Sequence, residues 1–153
     1  MNISCLLAVK DIAAARAFYE ELFSMTVAFD FGRNIAFDCG LSLQEDFDWL
    51  TGIPKSEIKA RANNFELYFE IAELDAFVEK LKARGDCELL HDLKTYPWQQ
   101  RVMRFYDLDK HLIEVGEPMN TVVLRLQKEG LSLEEVAAKM DVTLADVERM
   151  LVK

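Results

Sequence analysis

An α+β fold built from two copies of one β–α–β–β–β unit is what this sequence predicts, and three observations carry it. Residues 65–85, FELYFEIAELDAFVEKLKARG, pass from strand period to helix period without a long linker. Residues 3–23, ISCLLAVKDIAAARAFYEELF, do the same, and an offset of 62 positions lays Val9 on Ile71, Asp11 on Glu73, Ile12 on Leu74 and Tyr19 on Leu81. Each copy is followed by short apolar runs split by turn residues, which read as strands. A domain duplicated in this way carries its site where the copies face each other.

Residues 2–9 read as the first strand, with Ile3, Cys5, Leu7 and Val9 on one side and Ser4, Leu6 and Ala8 on the other. Asp11 suits the N-cap of the following helix, whose inner face is Ile12, Ala15, Tyr19 and Leu22. Strands are expected near 25–31, 34–38 and 41–46, split by Gly32 and Gly40. Residues 47–63 hold Gly52 and Pro54, end in Asn63-Asn64, and read as a linker with room for one helical turn. In it, Phe47, Trp49 and Leu50 lie among charged residues and suit a lid or a subunit contact.

The second copy starts with Phe65, Leu67, Phe69 and Ile71 on one face of a strand and Glu66, Tyr68 and Glu70 on the other. A helix follows with Leu74, Phe77, Val78 and Leu81 at helical spacing, ended by Gly85. Strands are expected near 87–92, 100–106 and 111–116, the last two joined by a turn at 107–110. From Asn120 the pattern turns helical: a helix over 121–128 stopped by Gly130, then starts at Ser132-Leu-Glu-Glu135 and Thr143-Leu-Ala-Asp146, a capping box and a looser version of one. The organisation read from this is one domain over 1–118, with repeats at about 2–46 and 64–117, and a helical appendage over 119–153.

Composition narrows the function. The 153 residues are 51% apolar, enough for a packed core. No apolar run approaches the ~20 residues that span a bilayer, and the N-terminus does not read as a secretory signal. Cys5, Cys39 and Cys87 are odd in number and lack CxxC spacing, so they read as small core residues of a cytoplasmic protein. A net charge of −9 is a poor match to phosphate backbones. The stretch LEEVAAKMDVTLADVERML resembles the helix-turn-helix of regulators, but residues 119–153 carry 5 basic and 6 acidic side chains, too few positive charges for DNA. No P-loop, dinucleotide-binding glycine pattern, nucleophile elbow or HExxH is present. A small-molecule ligand and a homodimeric assembly are the expected partners, with no nucleic acid and no membrane.

The segments V9-K-D-I-A-A-A-R-A-F-Y-E-E-L-F23 and R104-F-Y-D-L-D-K-H-L-I-E-V-G116 resemble the opening helix and closing hairpin of the vicinal oxygen chelate superfamily. That group includes glyoxalase I, bleomycin-resistance proteins, fosfomycin-resistance enzymes and extradiol dioxygenases. Leu108 and Lys110 replace its usual Pro and Gly. The resemblance covers about residues 2–117 and implies paired half-barrel sheets with a divalent metal between them. It places the ligand positions at Ser4, Glu66, Glu114 and, in the first copy's closing strand, Ser42 or Gln44.

The residues support part of this on their own. Glu66 and Glu114 each alternate with apolar neighbours, so both carboxylates point away from the helix-packed face. Carboxylates so placed must be solvated, paired or bound to a cation. Serine is a poor ligand at the Ser4 position, so three outcomes stand side by side. The metal is absent; Mg, Mn, Ni or Zn is held weakly by Glu66, Glu114 and Gln44; or another residue completes the set. The resemblance implies lyase or isomerase chemistry on a small molecule in the inter-repeat cleft, with Glu66 or Glu114 as base or ligand. The alternative is a non-catalytic protein that sequesters a drug. Arg104 suits an anionic group or the acidic pair. By the family's register Gln100, Arg104 and Tyr106 face the cavity, Tyr68 and Trp98 form an aromatic wall, and Lys94 lies on a loop at the mouth. His111 shares the parity of Ile113 and Val115 and is given a structural or surface role; His91 borders the cleft and is given no ligand role.

Overall fold

A computed structural model describes residues 3–152. Alternation and caps lay down the expected order of elements. In the first copy these are β1 (Cys5–Ala8), α1 (Ile12–Phe23), β2 (Val27–Asp30), β3 (Asn34–Phe37) and β4 (Leu41–Gln44). Asp11 caps α1 by accepting the Ala14 N–H at 2.9 Å. The strands form one sheet in the order β1-β4-β3-β2. β1 runs parallel to β4, with Cys5 opposite Leu41 and Ala8 opposite Gln44, and β3 is antiparallel to both β4 and β2. The α1 face formed by Ala15, Phe18, Tyr19 and Leu22 is buried; Tyr19 meets Phe18 edge-on at 5.1 Å and Phe37 at 6.2 Å between ring centroids.

The second copy repeats the plan with β5 (Glu66–Glu70), α3 (Leu74–Arg84), β6 (Glu88–Thr95), β7 (Arg101–Tyr106) and β8 (Leu112–Gly116), and its sheet has the matching order β5-β8-β7-β6. Gly85, at φ +72°, ends α3 in a conformation other residues rarely take. Between the copies, α2 (Phe47–Thr51) and a 3-10 turn at Lys55–Glu57 occupy the linker. The fold class is therefore the expected one: α+β, with tandem βαβββ repeats and C-terminal helices.

The chain makes two compact units. One takes the N-terminal stretch through Glu66 together with Arg84–Cys87 and Tyr106–Leu112; the other takes Leu67–Ala83, Glu88–Phe105 and the chain from Ile113 onward. The second unit includes α4 (Met119–Lys128), α5 (Leu133–Met140) and α6 (Leu144–Val152). These helices bury Val122, Val123, Leu126, Val136, Ala137, Met140 and Val147 as a common core, at roughly 1.5–3 kcal/mol for each large aliphatic side chain. The Ser132–Glu135 capping box forms in both directions, and Thr143 and Asp146 bond reciprocally at the start of α6. The Glu117 carboxylate, 2% exposed, takes Arg101 Nε at 2.7 Å and Arg125 Nη2 at 3.3 Å, so α4 is tied to β7 through a compensated buried charge. No helix of the described residues is long and apolar enough to cross a membrane.

Some expectations fail for local reasons. Ile3 is 94% exposed, because β1 starts only where Cys5 N–H finds the Gly40 carbonyl. Cys39 is exposed rather than in the core, since it lies in the tight turn between β3 and β4; Cys5 and Cys87 are half-buried. β6 runs on to Thr95, which puts Lys94 on a strand instead of a loop.

Candidate functional site

Gln100 and Arg104, with Glu114 of β8, come together on one face of the second sheet. Residue parity does this: Gln100 and Arg104 alternate with Arg101, Met103 and Phe105, whose Phe105 ring meets Phe77 of α3 at 6.5 Å. Glu114 alternates with Ile113 and Val115, both fully buried. The Arg104 guanidinium makes an ion pair with Glu114 Oε2, and the carboxylate is 7% exposed. A carboxylate buried to this degree is held by that cation.

Arg104 also donates from Nη1 to the Tyr96 hydroxyl at 2.5 Å, with His91 Nε2 3.5 Å from the same hydroxyl. The Arg104 guanidinium lies 5.5 Å and Lys94 Nζ 4.8 Å from the centre of the Tyr96 ring. Tyr96 stacks on Trp98 at 4.6 Å with 27° between the ring planes. Trp98 Nε1–H donates to Gln100 Oε1 at 2.9 Å, while Gln100 Nε2 donates to the Tyr68 hydroxyl and to the Glu117 carbonyl, both at 2.7 Å. Burial, more than the neighbouring Glu70, pushes the Tyr68 phenol above its usual pKa against the opposing Gln100 bond, so the hydroxyl remains protonated. Gly116 makes this approach possible: a Cβ there would lie 2.9 Å from Gln100 Nε2 and 3.4 Å from Tyr68 Cε2.

Tyr96 was not among the residues expected here, and neither was the contact of His91 with Arg104 at 3.5 Å. The available signal was the pair of aromatics flanking Pro97, which puts both rings on one side of a tight turn. Tyr106 departs from its expected place on an open cavity wall. It is 3% exposed, donates to Asn63 Oδ1 at 2.9 Å and has the Arg61 guanidinium 4.7 Å from its ring centre. Glu66 opens β5, half-buried, and belongs to the first unit.

The residues available for a divalent ion do not fit one as arranged. Glu114 is paired with a fixed cation that a dication would have to displace. Gln44 is 3% exposed, with Oε1 accepting Asn34 at 3.0 Å and Nε2 donating to the Glu45 carbonyl at 2.7 Å. Ser4 is exposed ahead of β1. Among the described residues no three His, Cys, Asp or Glu side chains converge. What the face does offer is a flat aromatic platform beside an amide and a guanidinium, the elements of a small-molecule site.

The family model described as Glyoxalase-like domain matches residues 2–120. No curated protein matches the chain. Among solved structures, a protein of unknown function from Agrobacterium tumefaciens is 33% identical over 76% of this chain and 93% of its own, with a TM-score of 0.65. The genomically encoded fosfomycin resistance protein FosX from Listeria monocytogenes is 22% identical over 76% of this chain and 92% of its own, at TM-score 0.59. A glyoxalase/bleomycin resistance protein/dioxygenase family enzyme from Burkholderia phytofirmans is 15% identical over 74% and 95%, at TM-score 0.63. With two sheets of matching strand order and a family match over most of its length, the chain belongs to the glyoxalase-like family of the vicinal oxygen chelate superfamily.

Proposed function

We propose that the protein binds a drug-sized organic molecule against the face of the second sheet formed by Arg104, Tyr68, Tyr96, Trp98 and Gln100, and binds it without a divalent metal. The observation that carries this reading is the Arg104–Glu114 ion pair, which occupies the carboxylate the family would give to a metal. The stacked Tyr96 and Trp98 rings supply apolar area at low entropic cost, and Gln100 fixes the indole. Similar structures named for fosfomycin and bleomycin resistance support an organic small-molecule ligand. The reading includes a homodimer in the cytoplasm with no nucleic-acid partner, which light scattering and a gel shift with random duplex check.

The competing enzyme reading makes Glu66 and Glu114 ligands or base in a lyase or isomerase reaction, and it requires Glu114 to leave Arg104. Calorimetry separates the two. Metal-free protein is titrated with bleomycin, with fosfomycin, and separately with Mn²⁺, Ni²⁺ and Zn²⁺. Metal-free binding of either drug that weakens in Trp98→Ala and Tyr96→Ala supports the proposal. Stoichiometric metal binding that disappears in Glu66→Ala and Glu114→Ala, without metal-free drug binding, replaces it with the enzyme.

A further inference from the structure

A pocket of about 360 Å³ lies within the first unit and shares no residue with the face that carries Arg104 and Glu114. Its volume falls in the range of small-ligand sites. Val9 at the end of β1, Phe47 of α2 and Ile58 after the 3-10 turn supply apolar wall, and Lys10, Lys59 and His111 bring polar ends to it.

His111 is held from behind. Its Nδ1 donates to Asp107 Oδ2 at 2.8 Å. Asp107, 2% exposed, also accepts the Tyr19 hydroxyl at 2.8 Å and the backbone N–H groups of Asp109 and His111 at 3.0 and 2.8 Å. With Nδ1 so committed, Nε2 is the nitrogen left to meet a ligand, in an orientation set by a buried carboxylate.

The acids lining the pocket already have partners. Lys55 Nζ lies 4.0 Å from Asp46 and 3.8 Å from Asp48, Arg33 lies 3.4 Å from Asp46, and Asp109 accepts the Lys10 backbone N–H at 3.0 Å. Lys59 Nζ donates to the Ser56 carbonyl, which leaves its charge uncompensated, while the Lys10 charge acts on Asp109. The lining holds three lysines, Lys10, Lys55 and Lys59, against three aspartates, Asp46, Asp48 and Asp109, so protonation of His111 turns the balance of the pocket positive.

We propose that this pocket is a second ligand site, taking a small organic carboxylate whose anionic end is held by His111, Lys10 and Lys59 and whose apolar body lies on Val9, Phe47 and Ile58. Asp107 holds His111 from its own turn, and the charged groups that line the pocket with it are Asp109 from that turn, Lys10 from the β1 end, and Asp46, Asp48, Lys55 and Lys59 from the linker. Burial pulls the imidazole pKa down, but the bond to Asp107 and the charges of Asp107 and Asp109 outweigh it and raise it above the ordinary value. Occupancy is accordingly stronger below neutral pH than above it.

The test is residue-resolved NMR of the ¹⁵N-labelled full chain titrated with benzoate and with hexanoate, using benzamide as the uncharged control. Saturable shifts at Lys10, Ile58, Asp109 and His111 with a carboxylate but not with benzamide support the site. So does weakening by about tenfold in Lys59→Gln, an exposed change that leaves the fold intact, and in His111→Gln, as expected for loss of one charge-assisted bond. Binding unchanged in both variants overturns the proposal. Absence of saturable shifts with either carboxylate overturns it, and so do shifts confined to Tyr68, Tyr96 and the Trp98 indole. That last result places the carboxylate on the second sheet and leaves the proposed drug-binding face standing.

Discussion

The Tyr19 hydroxyl of α1 donates to the Asp107 carboxylate of the β7–β8 turn at 2.8 Å, across 88 positions of sequence, and both side chains are buried. Burial and the neighbouring Asp107 charge hold the phenol well above its usual pKa, so it stays a neutral donor. Tyr19→Phe removes this bond to a charged acceptor and is expected to cost about 1.5–3 kcal/mol in urea unfolding. A loss under half a kilocalorie would show that Asp107 is satisfied by its other donors.

His111 has a folded-state pKa raised above its unfolded value of about 6.5, so its contribution to stability is full below that value and is lost as pH rises through the folded one. Urea midpoints of the wild type are expected to fall from pH 6 toward pH 8 by more than those of His111→Gln. Parallel profiles for the two proteins would remove His111 as the cause.

Arg104→Met leaves Glu114 buried beside an apolar chain and is expected to destabilise by about 3–5 kcal/mol. The double variant Arg104→Met/Glu114→Leu is expected to recover most of that loss, because neither charge then needs a partner. Additive losses in a double-mutant cycle would mean that the two residues stabilise the fold separately.

Gly116→Ala puts a methyl group 2.9 Å from a Gln100 amide that is itself 4% exposed and held by bonds to Trp98, Tyr68 and the Glu117 carbonyl. The amide cannot move without breaking some of them. A cost of about 1–3 kcal/mol is expected, with a shift in tryptophan emission as the Trp98 indole loses its acceptor. An unchanged emission spectrum would show that the network persists.

Glu117→Ala strips the shared partner of Arg101 and Arg125. Loss of the buried carboxylate is expected to destabilise by about 3–5 kcal/mol in urea unfolding, because two guanidinium groups lose their common anion. Glu117→Gln keeps the shape and one acceptor and is expected to cost less than Glu117→Ala.

The legible part of this protein is the part written in short-range pattern. Asp11 and the Ser132–Glu135 box mark helix starts because a side chain reaches only three residues along the backbone to satisfy a free N–H. Alternation around Glu114 gave its face, since strand parity is a property of neighbours. The duplicated pattern at an offset of 62 positions foretold two sheets of one plan. Lys94 was misplaced because strand ends depend on how far the partner strand continues pairing.

Sequence by itself determined the α+β class, the order of elements, the repeat and the side of the strand on which Glu114 stands, because periods of two and 3.6 residues record which side of each element is buried; the side given to Arg104 came from the family resemblance. Tertiary structure alone decided that Arg104 holds Glu114, that Tyr96 stacks on Trp98, and that Asp107 gathers Tyr19 and His111. Those are meetings of groups on different elements or across turns. Their energies come from distance and burial, which are settled only once the strands have found their partners.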